Sequence, residues 1–140
     1  MAEEPEPPPL GYPPRLTAVT RPFYEALADG RLVTTRCRSC AALTFPPKAA
    51  CPHCWSGEMD FEQIPPTGVL RSFTEVWAAP APFAGDVPYI LAIVDLDAGV
   101  RCAARLSGRF EDHVCDERVE LRPQPAAPVP LFAFERAEGA

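Results

Sequence analysis

From Arg31 onward the apolar residues fall in short runs broken by proline, glycine and aspartate, which is the pattern of strands and turns rather than of helices. Leu32 to Arg36 and Leu43 to Phe45 are the first two runs. A third, Met59 to Ile64, alternates, with Met59, Phe61 and Gln63 against Asp60, Glu62 and Ile64. Five longer candidates follow: Val69 to Trp77, Tyr89 to Leu96, Val100 to Leu106, Val119 to Arg122 and Leu131 to Phe134. Asp97-Ala98-Gly99 predicts a hairpin turn, and Pro80 to Pro88 a longer loop bearing Phe83. The spacing predicts one short helix. Thr20 stands as its cap, Pro22 in its first turn, Phe23 and Leu27 on one buried face and Gly30 at its stop. A helix so short must dock on something to persist. There is no internal repeat.

Composition narrows the class. A chain of 140 residues is one domain or two very small ones, which excludes a multidomain enzyme. Nineteen prolines, about 14% of the chain against a usual ~5%, argue against a helix bundle. The 47% hydrophobic and 23% charged residues give an ordinary globular balance, and the net charge of -6 speaks against a non-specific binder of phosphate backbones. The longest apolar run, Tyr89 to Val94, is far too short to span a bilayer. The amino end lacks the basic start and apolar stretch of a secretory signal, so a cytoplasmic protein is expected.

In a reducing compartment, closely spaced cysteines more often hold metal than pair as disulfides. Cys37-Arg38-Ser39-Cys40, then ten residues, then Cys51-Pro52-His53-Cys54 is such an arrangement. Two tight turns of this kind bring four thiolates to the corners of a tetrahedron, the geometry of a structural Zn2+ site. Four protein ligands leave no open position for water, so one Zn2+ per chain would fold the module rather than react. Iron in a rubredoxin-like site and a redox dithiol pair are the alternatives, and colour separates red iron from colourless zinc. His53 lies between two ligand cysteines and reads as a surface residue. Cys102 reads as a small buried apolar residue.

No catalytic constellation matches that signal. His113 and Cys115 are spaced as a base and thiol might be, with no third residue evident to orient them. Asp95 and Asp97 share one strand face but sit at a turn, where solvated acids are expected. Arg36 to Arg38, Lys48, Arg101, Arg105 and Arg109 are candidates for contact with an anion, a coenzyme phosphate or a nucleic acid, against a background of ordinary surface charge.

Phe23-Tyr24-Glu25-Ala26-Leu27, Gly30-Arg31-Leu32, the two cysteine pairs, Phe45-Pro46-Pro47, Gly68-x-Leu70-x-Ser72-Phe73-Thr74 and Ala92-Ile93-Val94-Asp95-Leu96 occur in an order that resembles a known family. It is the family of small zinc-ribbon plus OB-fold proteins, formerly a domain of unknown function, that accompany acyl-CoA thiolases, aldolases and hydratases. The likeness runs from about Pro22 to Phe134. It departs where Val114 to Arg118 replace a common Ile-Gly turn and where Ala41 stands in place of a glycine after Cys40. The resemblance implies a mainly β protein with an amino-terminal helix, a rubredoxin-like zinc ribbon and a carboxy-terminal five-stranded OB-fold barrel. The organisation expected is a disordered proline-rich tail over 1–19, a docking helix over 20–31, a zinc ribbon over 32–65, an OB-fold over 66–135 and a frayed tail over 136–140.

The resemblance further implies a non-catalytic accessory subunit that binds and stabilises a thiolase-fold enzyme (thiolase, acyltransferase or sterol side-chain aldolase) or a hydratase-fold one. It would help form the acyl-CoA channel, with contact to the coenzyme A moiety of the partner's substrate. Trp55, Trp77 and Phe83 are the aromatic residues expected to anchor the partner, although each also reads as core. The alternative is a single-stranded nucleic-acid-binding protein, which salt-sensitive binding to an oligonucleotide would reveal.

Overall fold

The computed structural model describes residues 13–137, so the expectations for residues 1–12 and 138–140 lie outside the described residues. The described residues form one α-helix followed by eight strands, with two short 3-10 helices between strands.

Helix α1 spans Thr20–Ala28, and its start corrects the sequence reading. Thr20 is the first helical residue rather than the cap. The capping is done by Thr17: its Oγ1 accepts from the Thr20 N–H at 3.2 Å, while the Thr17 N–H donates back to Thr20 Oγ1 at 2.8 Å. This is a capping box with a threonine in place of the usual glutamate, which is why the pattern was hidden. The other end is a Schellman turn. Gly30, at φ +78°, lets its own N–H reach the Leu27 carbonyl and the Arg31 N–H reach that of Ala26. Phe23, Ala26 and Leu27 are buried. Phe23 meets Phe45 and Phe132 edge-on, at ring-centroid distances of 6.0 and 5.8 Å, so one side chain joins the helix to both parts of the β structure.

The first sheet holds β1 (Leu32–Cys37), β2 (Leu43–Thr44) and β3 (Met59–Ile64) in the antiparallel order β2-β1-β3. As the middle strand, β1 is buried on both faces, and this forces its polar residues to find partners. Thr34 Oγ1 donates to the Thr44 carbonyl, Thr35 Oγ1 lies 2.8 Å from Thr44 Oγ1, and the Lys48 N–H donates to Thr35 Oγ1 at 3.0 Å. In β3 burial does not follow the alternation read from the sequence: Ile64 is buried, Met59 and Glu62 are half-buried, and Asp60, Phe61 and Gln63 are exposed.

The second sheet closes on itself. Strands β4 (Thr67–Val76), β5 (Tyr89–Leu96), β6 (Arg101–Leu106), β7 (Arg118–Gln124) and β8 (Leu131–Arg136) run in the order β4-β5-β6-β8-β7, and β4 pairs with β7 to complete the barrel. The five-stranded barrel expected from the sequence is therefore present, and it is closed. Closure depends on β4, whose ten residues serve two neighbours and whose pairing with β5 shifts register between Leu70 and Ser72. Gly68 is needed at that crossing, because a Cβ there would lie 2.5 Å from the Asp95 carbonyl oxygen. β5 shows the half-buried alternation throughout, with Ile90, Ala92, Val94 and Leu96 inward beside Leu70, Cys102, Leu106, Val119, Leu121 and Phe134. The loop over Pro80 to Pro88 contains a 3-10 helix, Ala81–Asp86, that was not anticipated.

Candidate metal centre and partner-facing surfaces

Each cysteine pair closes a turn of the same design. The Ala41 N–H donates to the Cys37 carbonyl at 2.9 Å, and the Trp55 N–H to the Cys51 carbonyl at 2.8 Å. Ala41 and Trp55 both adopt the left-handed region, at φ 65° and 66°. One backbone N–H in each turn also points at sulfur, from Cys40 to Cys37 Sγ and from His53 to Cys51 Sγ, both at 3.4 Å. The four Sγ atoms of Cys37, Cys40, Cys51 and Cys54 all lie within 4.8 Å of one another, with Cys37 to Cys54 at 3.5 Å and Cys40 to Cys51 at 3.6 Å. A Zn–S bond of ~2.3 Å in a tetrahedron requires sulfurs about 3.8 Å apart, so the cluster fits a four-thiolate metal.

The electrostatics agree with that chemistry. The backbone N–H of Cys40 holds the Cys37 thiol down at about 6. At Cys54 a hydrogen bond from the Ser56 backbone pulls the other way, but the crowding sulfur of Cys37 and burial outweigh it and push the thiol up to about 12. Sulfurs this close do not all ionise unless a cation compensates them. Cys37 and Cys51 are buried while Cys40 and Cys54 face solvent. His53 is exposed and only its backbone serves the site.

Other candidates separate on inspection. Cys102 is 2% exposed in the barrel core, and burial pushes its thiol up to about 12. Cys115 is exposed, whereas His113 is buried and turned away to other partners. Its Nδ1 lies 2.6 Å from Glu117 Oε1 and its Nε2 2.8 Å from the Ser107 carbonyl, leaving no ring nitrogen to activate a thiol. The orienting residue that sequence reading did not find is Glu117, four positions beyond the histidine.

Asp95 and Asp97 are ion-paired rather than merely solvated. Asp95 meets Arg101 at 2.7 Å and Arg71 at 2.8 Å; Asp97 meets Arg118 at 2.6 Å. These guanidinium groups hold both carboxyls down at about 2. Arg36 and Arg38 are likewise matched to Glu62 and Asp60 at 2.8 and 2.7 Å. The candidates for anion contact are thus largely neutralised by acids of this chain.

Arg105 and Arg109 stand beside an open groove of about 620 Å3 at one end of the barrel. Arg105 lies over the Tyr89 ring at 4.1 Å and pairs with Asp86 at 3.0 Å, and Trp77 and Phe110 complete the wall. Trp77 is 68% exposed and Trp55, at the tip of the second cysteine turn, 82%. Phe83 is half-buried under Arg105, so it corresponds less well to the expected anchor. Among the described residues, no helix is long and apolar enough to cross a membrane.

Comparison with known proteins places these features together. Residues 25–60 match the rubredoxin-like zinc ribbon domain of ChsH2, and residues 61–124 match its C-terminal OB-fold domain. Among solved structures, a chain of the "Ltp2-ChsH2(DUF35) aldolase" is 32% identical with a TM-score of 0.74, covering 89% of this chain and 98% of that one. A "Probable enoyl-CoA hydratase alpha subunit" of Thermomonospora curvata is 36% identical over 92 residues, which are 66% of this chain and 28% of the relative. The "Benzoylsuccinyl-CoA thiolase subunit BbsA" of Geobacter metallireducens is 36% identical over 86 residues, 61% of this chain and 57% of the relative. The chain therefore spans less than two thirds of the length of either curated relative.

Proposed function

We propose, from the premise that this chain belongs to the ChsH2 (DUF35) family of zinc-ribbon and OB-fold proteins, that it is a non-catalytic accessory subunit of an acyl-CoA-processing enzyme. It binds a thiolase-fold partner, stabilises it and helps line the channel that admits the acyl-CoA. The observation that carries this reading is the correspondence of 89% of this chain with 98% of a chain of the "Ltp2-ChsH2(DUF35) aldolase". The similarity to subunits of a thiolase and a probable hydratase supports the same partner class.

The residues suit such work. Cys37, Cys40, Cys51 and Cys54 would hold one structural Zn2+, which supplies the ribbon with the stability that its small core lacks. The metal fixes the second cysteine turn and with it Trp55, a bulky side chain held in a left-handed backbone conformation at the ribbon's tip. The tight turn fixes the backbone from which the exposed ring projects, so less is left to order when the partner arrives. Trp77 offers a second anchor beside the barrel groove. There the exposed Arg109, paired with the likewise exposed Glu111 at 3.6 Å, would exchange that carboxylate for a coenzyme A phosphate entering between this chain and its partner.

Co-purification at moderate salt from the source cells tests the reading. A thiolase-fold or hydratase-fold protein in stoichiometric amount is expected, and the combined substitutions Trp55→Ala and Trp77→Ala should release it while the barrel stays folded. A partner that turns over its acyl-CoA substrate at full rate without this chain overturns the proposal.

A further inference from the structure

A second hollow lies where helix, ribbon and barrel meet. It is an apolar groove of about 330 Å3 walled by Phe23 and Tyr24 of α1, Phe45 and Pro47 of the ribbon, and Phe132 of β8. Phe23 stands edge-on to the other three rings, at centroid distances of 5.0 Å to Tyr24, 6.0 Å to Phe45 and 5.8 Å to Phe132. The wall is thus a cluster of ring edges rather than a flat platform for stacking. Its volume is at the low end of ligand pockets, which suits an inserted bulky side chain rather than a whole cofactor.

Charge sets this groove apart from the rest of the surface. Of the chain's 13 arginine and lysine residues, ten are ion-paired with its own carboxylates. Arg101, which also lines the groove, is one of these and is committed to Asp95. Among the described residues, the cations left without an acidic partner are Arg15, Arg21 and Lys48, and all three stand next to residues of the groove. Arg15 offers its carbonyl to Oγ1 of Thr20, which lines it. Arg21 lines an adjoining hollow of about 190 Å3 that shares Tyr24 with the first, and Glu25, on the same hollow, is not paired with it. Lys48 follows Pro47 of the wall, its backbone fixed by the N–H bond to Thr35 Oγ1 at 3.0 Å. On a chain of net charge -6, three unneutralised cations around one apolar groove reverse the general field. They select an occupant that brings carboxylates on either side of an apolar anchor. A nucleic acid would meet the repulsion of the whole chain and find ring edges where stacking needs faces.

We propose that this groove docks an acidic segment of a partner polypeptide, with an apolar side chain inserted among Phe23, Tyr24, Phe45 and Phe132 and its flanking carboxylates paired with Arg15, Arg21 and Lys48. The partner is the acyl-CoA enzyme, for which the groove is a second hold besides Trp55 and Trp77. Only that identity rests on the accessory-subunit reading; the choice of an acidic segment rests on the groove itself. Because the wall draws on helix, ribbon and barrel, the bound segment also fixes the ribbon's orientation on the barrel.

A phage-displayed library of random peptides, panned at low salt on the full chain, tests it. Enriched peptides should carry Asp or Glu on both sides of Phe, Trp or Leu. The most enriched one, made synthetically, should shift the ring signals of Phe23, Tyr24, Phe45 and Phe132 in nuclear magnetic resonance and leave those of Trp55 and Trp77 in place. Arg15→Ala, Arg21→Ala and Lys48→Ala combined should weaken its binding about tenfold or more and flatten the dependence on salt. Ala103→Trp, which crowds the groove with those charges intact, should weaken it as much. No enrichment, enrichment of basic or uncharged peptides, or an affinity unmoved in either variant overturns the proposal. So does displacement of the peptide by oligothymidine, or a response that depends on protein concentration, because the occupant is then a nucleic acid or a second copy. Binding that appears only once residues 1–12 are removed overturns it too, since the chain's own amino end is then the occupant. Each of these failures leaves co-purification of the acyl-CoA enzyme untouched, so the accessory-subunit reading stands or falls separately.

Discussion

His113 Nδ1 lies 2.6 Å from Glu117 Oε1, with both side chains buried, and this pair ties the loop after β6 to the start of β7. Glu117 Oε2 in turn accepts from Arg136 Nε at 2.9 Å, so the same carboxylate anchors the end of β8. Glycine at 108 makes room for the ring, since a Cβ there would stand 3.2 Å from His113 Nε2. Removing the carboxylate strands two hydrogen-bonding partners at once. Glu117→Ala is expected to cost about 3 kcal/mol, and Glu117→Gln, which retains an acceptor, clearly less. Urea unfolding of the two variants measures the difference, and equal midpoints would deny the pair its role.

Metal removal should unfold the ribbon first. One zinc per chain is expected by elemental analysis, and Cys40→Ser or Cys54→Ser should abolish tight binding. A chelator should then abolish amide protection over β1 to β3 while β4 to β8 retain theirs, because the buried cluster is built mostly from barrel strands and the ribbon strands add only Leu32 and Ile64 to it. Protection of β1 to β3 that survives the loss of metal counts against this.

Ala41 and Trp55 occupy equivalent left-handed positions, but only the alanine is without an evident use for the strain. Ala41→Gly should stabilise the protein by about 1 kcal/mol, seen as a rise of a few degrees in Tm. A lowered Tm would show that the alanine methyl packs usefully.

Acid should weaken the barrel over a definite range. The Arg101 and Arg71 guanidinium groups at Asp95, and Arg118 with Thr67 at Asp97, hold these carboxyls at about 2 against an ordinary 3.8. Depressed carboxyls contribute stability that is fully present above pH ~4 and is lost as pH falls toward 2. Asp95→Asn and Asp97→Asn should lower stability at pH 6 and flatten its decline between pH 4 and 2. Parallel curves for wild type and variants in urea titrations would assign the acid sensitivity elsewhere.

Local chemistry was legible in the chain itself. Strand positions follow from period-two runs such as Tyr89 to Leu96, and the helix stop from Gly30, because each depends on residues a few positions apart. The cysteine spacing announced the cluster for the same reason: each pair sits on one tight turn, and only the meeting of the two turns needs the fold. The helix start was misread because Thr17 and Thr20 cap reciprocally without the glutamate that marks such a box. Long-range facts were settled by tertiary structure alone. Closure of the barrel through β4 and β7, and the matching of Arg71 and Arg101 to Asp95, join residues on different strands. So does the aromatic groove between helix, ribbon and barrel. Periodicity tells which face of a strand is buried, but not which strand will lie beside it. Charge partners and grooves are properties of that adjacency, and they exist only once the chain has closed.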